Sequence, residues 1–131
     1  MSEENVEIVR RVYEGWASGD FSGAEMFHPE VTFDMVDWPE GSRSQGLDGM
    51  RRSWRAALDA WEDFRAVPTE FIDAGGDVVV VLNRIEGRGK ESGVDVRADT
   101  ATLWELDGGQ VVRLALYWKT ADALEAAGLS G

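Results

Sequence analysis

The chain has 131 residues, 44% of them hydrophobic and 29% charged, which suits one domain over 1–131 with a sizeable core. Thirteen Lys and Arg against 25 Asp and Glu leave a formal charge of −12, which repels a phosphate backbone, so nucleic acid is not an expected partner. Cysteine is absent, no apolar run approaches the roughly 20 residues of a membrane span, and no apolar stretch follows the acidic start. Disulfides, thiol chemistry, membrane insertion and secretion are therefore not expected, and the default compartment is the cytoplasm.

The first helix is expected from Ser2, with Glu3 and Glu4 at the positive end of its dipole and Val6, Val9, Tyr13 and Trp16 on one stripe widened by Ile8 and Val12. Gly19 should end it. Asp20 or Ser22 can cap a short second helix through Met26 or Phe27, and His28-Pro29 should close that helix, because the residue before proline is pushed out of the helical region. Val31–Val36 alternates Val31, Phe33 and Met35 against Thr32, Asp34 and Val36, a strand with one larger apolar face. The Pro, Gly and Ser content of Asp37–Gly46 predicts a loop, in which Trp38 needs a pocket or a partner.

A third helix should carry Leu47, Met50, Trp54, Ala57, Leu58 and Trp61 inward and Arg51, Arg52 and Arg55 toward water. Phe64–Asp73 is a weaker strand in which Pro68 marks an edge, a strand start or a bulge. After a turn at Ala74-Gly75-Gly76-Asp77 come three strand-like runs, Val78–Ile85, Val94–Leu106 and Val111–Trp118, then a short helix Ala121–Ala127 capped by Thr120 and stopped by Gly128. Helices gathered on one side of a largely antiparallel sheet define an α+β layer architecture.

Several motifs match a known group in order and spacing. They are Asn5-Val6-x-x-Val9-Arg10-Arg11-x-Tyr13, Gly19-Asp20, His28-Pro29-Glu30-Val31, Gly46-x-x-Gly49, Phe71-Ile72-Asp73-Ala74-Gly75, Gly87-Arg88-Gly89, Trp104-x-x-Asp107-Gly108 and Ala123-Leu124-Glu125-Ala126-Ala127-Gly128. Nearly the whole chain thereby resembles the nuclear transport factor 2-like superfamily, in its SnoaL-like, polyketide-cyclase-like branch. The resemblance implies a cone-shaped, strongly bent antiparallel or mixed sheet wrapped around the N-terminal helices, a cystatin-like α+β roll. It also implies a ligand pocket between the concave face and helix one, and homodimers formed through the outer sheet face. The apolar outer positions Val78, Val80 and Leu82 suit such pairing.

Steroid isomerases of that superfamily use an Asp base with a Tyr and a protonated Asp, a pattern known as a standard case of pKa tuning. By position the Tyr falls on Val12, with Tyr13 about a quarter turn away, the base near Met35 and the protonated Asp on Thr102. Cyclases of the branch place an acid on the last long strand, where this chain offers Leu114, Leu116 and Trp118, and Lys119 follows the final Tyr117-Trp118 pair. The usual acids are thus missing. Asp34 and Asp99 remain as weak catalytic candidates, although alternation aims each away from Phe33/Met35 and Thr100/Thr102.

Residues expected to line a pocket are Tyr13, Trp16, Met35, Trp38 and Trp54, together with Thr102, Trp104, Leu116 and Trp118. Arg84 and Glu86 share a strand face and can pair across it. A single histidine, His28, does not make a metal site, and the glycine-rich run Gly87–Gly93 leads into a strand rather than a helix, so it is no phosphate loop. No metal or cofactor is expected. Two readings follow: a pocket for a small apolar molecule, with isomerase, cyclase or hydratase chemistry open, or a non-catalytic binding or dimerisation module.

Overall fold

The computed structural model describes residues 2–17, 24–36 and 43–129. The expectations placed on Gly19, Asp20, Ser22 and Trp38 lie outside those residues. Three helices, α1 (Ser2–Ala17), α2 (Gly46–Asp59) and α3 (Thr120–Ala126), accompany β1 (Phe27–Val36), β2 (Arg43–Gln45), β3 (Trp61–Asp73), β4 (Val78–Gly89), β5 (Asp95–Asp107) and β6 (Gln110–Tyr117). The strands form one curved, open sheet in the order β2-β1-β6-β5-β4-β3. All neighbours are antiparallel except β1 and β6, which run parallel. The architecture is α+β.

Alternation sorts the side chains onto two faces. On the inner face the core gathers Val9, Val12, Tyr13 and Trp16 of α1 and Met50 and Trp54 of α2 against Phe33, Val79, Val81, Trp104, Leu114 and Leu116 of the sheet. The register explains this grouping. Phe71, Val81, Thr102, Leu116 and Met35 face one another in a row across β3, β4, β5, β6 and β1. On the outer face Val80, Ala101, Leu103, Ala115 and Tyr117 pack with Ala123 of α3.

Four local expectations are revised. The short second helix is present as a 3-10 turn, Ala24–Met26, but His28 and Pro29 belong to β1 rather than closing it, because Phe27 already pairs with Val111 and the register then shifts before Thr32. Proline, which has no N–H to donate, sits in that irregular stretch. Arg43–Gln45 is a short edge strand inside the expected loop, paired to Thr32, Phe33 and Asp34. Trp61 opens β3 instead of closing α2, and its indole lies where a Cβ on Gly87 would come within 2.9 Å. Only glycine leaves that space.

Thr120 lies within α3, and Lys119 takes the N-cap position without a side-chain bond. The Thr120 hydroxyl donates to the Asp99 carbonyl instead, at 3.5 Å. Gly128 stops the helix: its φ is +76°, and the bonds Gly128 N–H to Glu125 O (3.0 Å) and Leu129 N–H to Leu124 O (2.8 Å) close a Schellman motif. Pro68 borders a register shift on β3, which is an edge strand. Among the described residues no helix is long and apolar enough to cross a membrane.

Candidate functional site

The inner face concentrates aromatic rings. Tyr13 lies edge-on to Trp16 at 4.9 Å between centroids and to Phe71 at 5.8 Å, and is tilted against Trp104 at 5.8 Å. Trp16 reaches Trp54 at 5.3 Å and Trp104 at 5.8 Å, and Trp54 continues to Phe33 at 5.8 Å. Edge and tilted contacts of this kind add to the burial energy of large apolar surfaces. The spacing of Tyr13 and Trp16 along α1 delivers both rings to the sheet, and Trp54 of α2 approaches from the other side.

A polar group sits inside this apolar cluster. The Tyr13 hydroxyl is 2.8 Å from Thr102 Oγ1, which also accepts from Trp104 Nε1 at 2.8 Å. Asn83, on the inner face of β4, reaches the same phenol, and its Nδ2 donates to the Val81 carbonyl at 3.2 Å. Burial pushes the Tyr13 phenol well above its ordinary pKa, and the bonds to Thr102, Asn83 and Trp104 offset that only in part. Tyr13 therefore remains a neutral phenol at physiological pH. The groups that bond it are all uncharged.

Of the residues expected to line a pocket, Tyr13, Trp16, Met35, Trp54, Trp104 and Leu116 fall in this one buried cluster, and Trp118 packs against it. Thr102 joins through its hydrogen bonds. Trp38 lies outside the described residues. Both Val12 and Tyr13 are buried, although Tyr13 was expected a quarter turn off; successive helical residues about 100° apart can share a wide apolar arc. Tyr13 thus places a phenol against Thr102. Asn83 was missed because β4 reads as a continuous apolar run; the available signal was its shared parity with Val79, Val81 and Ile85.

Asp34 and Asp99 point elsewhere. Asp34 is 7% exposed and turned to the outer face, where Arg43 donates to it twice, at 2.7 and 3.0 Å, and Arg113 once at 3.3 Å. The Arg43 bonds hold its carboxyl below the ordinary range against the opposing effect of burial, with Arg113 adding to them. Arg113 also donates to Glu105 at 2.9 Å, so the charges form a ladder across four strands. Asp99 is exposed and pairs with Arg84 at 3.5 Å. Arg84 and Glu86 do not pair with each other: Glu86 takes Arg97 of β5 at 3.3 Å, because cross-strand neighbours are closer.

Among the described residues Asp34 is the one buried carboxylate, so the aromatic cluster contains none. None of these residues forms a group of three or more metal-ligating side chains. An open groove of about 260 Å³ is lined by Arg65, Glu86, Arg88, Asp95 and Arg97 among others, but its Arg88–Asp95 and Arg97–Glu86 pairs already meet each other's charge.

The family model for the SnoaL-like domain matches residues 9–114. The chain belongs to the SnoaL-like family. Within the wider nuclear transport factor 2-like fold, it superposes on a protein of unknown function from Burkholderia pseudomallei at 24% identity, with TM-score 0.80 and coverage of 95% of this chain and 97% of that one. A SnoaL-like polyketide cyclase from a Jannaschia species gives 22% identity and TM-score 0.76, over 100% and 96% of the two chains. A ketosteroid isomerase-like protein from Catenulispora acidiphila, solved in complex with trimethylamine, gives 21% and 0.72, over 95% and 94%. These likenesses concern the fold. Among curated proteins no relative matches this SnoaL-like domain.

Proposed function

We propose that the inner face binds a small, neutral, largely apolar aromatic molecule, and that it does so without acid–base catalysis by a carboxylate of its own. The observation that carries this reading is the Tyr13–Thr102–Trp104 hydrogen-bonded group set among buried rings and free of charge. Apolar walls with a few fixed polar groups are the usual composition of a small-molecule site. Isomerase, cyclase or hydratase chemistry needs a base placed at the reacting carbon. The positions at which the family resemblance implies acids carry Met35, Thr102 and Leu116 here, and Asp34 is engaged by two arginines on the other face. The trimethylamine complex of the Catenulispora relative supports ligand binding within this fold.

The test is a panel of neutral aromatic and polycyclic compounds, followed by thermal shift and by quenching of tryptophan emission. Binding should raise the melting temperature and quench Trp16, Trp54 and Trp104 together. If no compound in the panel does either, the reading fails.

Pairing of two copies through the outer face is a second element of the proposal. Val80 is fully buried with α3 residues, so the surface left for a partner is the half-buried set Val36, Ile72, Val78 and Leu82. Sedimentation equilibrium at micromolar concentration should give a dimer mass; a monomer mass would remove this element and leave the ligand site untouched.

A further inference from the structure

The outer face carries a cover that is lightly held. α3 has seven residues, and of these Ala123 alone is buried, with Leu124 half-covered beside it. By comparison, α1 and α2 seat Val9, Tyr13, Trp16, Met50 and Trp54 in the core. Lys119 caps α3 without a side-chain bond, and the Thr120 hydroxyl reaches the Asp99 carbonyl only at 3.5 Å, the outer limit of a hydrogen bond. Among the described residues Lys119, Asp122 and Glu125 form no ion pair. So short a helix has little stability of its own, and segments with few buried contacts open at a lower free energy than the whole fold.

What lies beneath it is apolar and continuous. Val80, Leu103 and Ala115 stand in register across β4, β5 and β6, with Ala101 and Tyr117 in the next row, and all five are buried. The Arg113–Glu105 pair bounds these rows at one end and the Arg84–Asp99 pair at the other. An apolar centre inside a polar rim is the anatomy of a protein interface. Each end of the rim carries both signs of charge, so a second copy of this chain, turned by a two-fold rotation, meets it with complementary charge. The half-buried Val36, Ile72, Val78 and Leu82 lie around the rows and continue the same surface.

We infer that α3 is a releasable, autoinhibitory cover: it leaves the outer face as a unit while the sheet stays folded, and the face it bares pairs with that of a second copy. This rests on the proposed pairing of outer faces and names what regulates it. With α3 seated, a partner finds only the half-buried margin; with α3 released it also finds Val80, Leu103 and Ala115. Rising protein concentration therefore draws the helix off by mass action, because pairing consumes the open form.

The chain has no cysteine, so a single introduced thiol reports which face opens. Val80 and Val81 are neighbours on β4, both 0% exposed, and they belong to opposite faces. In dilute native protein Val80→Cys and Ala123→Cys should react with a water-soluble disulfide reagent at least ~10-fold faster than Val81→Cys, which waits for a larger unfolding event. As concentration rises, Val80→Cys should slow while Ala123→Cys does not, because the partner covers the sheet and not the freed helix. Equal rates for Val80→Cys and Val81→Cys overturn the inference, and a dimer mass in sedimentation then leaves the pairing standing. Slowing of both outer-face thiols together, or of neither, across the range in which sedimentation shows a dimer also overturns it. A monomer mass throughout removes the pairing and the inference together. Ala115→Cys, on β6 in the same cluster, replaces Val80→Cys if that variant does not fold.

Discussion

On the inner face, the row Phe71, Val81, Thr102, Leu116 and Met35 crosses five strands without a charge. One residue along, the outer row Ile72, Val80, Leu103, Ala115, Asp34 and Arg43 crosses six and ends in an ion pair. The same strands therefore separate hydrogen-bonded aromatic chemistry from ionic chemistry by the pleat alone. Each acid that attracted notice as a catalyst stands on the wrong side of that division. The inner face depends on packing and neutral hydrogen bonds, whereas the outer one adds to its apolar cluster under α3 a run of arginine–carboxylate pairs, among which Asp34 is buried and Asp99 exposed.

The sharpest way to break the comparison is Trp104→Ala. Trp104 is wholly buried and touches the rings of Tyr13, Trp16 and Phe27, so its loss should cost about 3–5 kcal/mol in urea unfolding, with ligand quenching abolished. A loss near zero would mean that the inner cluster is not the core. Asp34→Asn should have the next effect, and it should depend on pH. The Asp34 pKa is lowered in the folded protein, so its contribution is present above the ordinary carboxylate pKa of about 4 and is lost as pH falls through the lowered folded value. The gap in unfolding midpoint between wild type and Asp34→Asn should therefore be widest near neutrality and close toward pH 3; a constant gap would exclude the ion pairs as its source.

Tyr13→Phe keeps the ring contacts and removes one hydrogen bond to Thr102, whose oxygen retains Trp104 as a donor, so about 1 kcal/mol of stability should be lost. Denaturation of this variant beside Trp104→Ala separates the polar from the apolar part of the inner face. Smallest of all, Asp99→Asn should stay within about 0.5 kcal/mol, because its partner Arg84 is half exposed and the pair lies in solvent. A larger effect would show that the outer charges are organised beyond pairwise contacts.

Much of the fold was visible in the residues. The alternation of Val31–Val36 assigned Phe33 and Met35 to one face and Asp34 to the other, and the structure keeps that division. Gly128 and Pro68 also stand where their backbone chemistry suggests. The misreadings were local. Trp61 continues the helical spacing of Trp54, and nothing nearby in the chain announces that Gly87, 26 positions on, leaves a seat for its ring against β4. His28-Pro29 carries a helix-stop signal, yet pairing with β6 draws Phe27 and its successors into the sheet.

The candidate site was less visible. Tyr13, Trp16 and Trp104 were recognisable as large inward side chains, but Asn83 lay inside an apolar run, and its place beside the Tyr13 phenol is a property of the packed interior. Periodicity is set by bond geometry a few residues long, so the chain alone determined which side chains share a face, which acids leave the interior, and where turns fall. Which faces meet is decided by contacts between distant segments. Tyr13 and Thr102 are 89 residues apart, and only folding brings their hydroxyls to 2.8 Å with the side chain of Asn83 beside them.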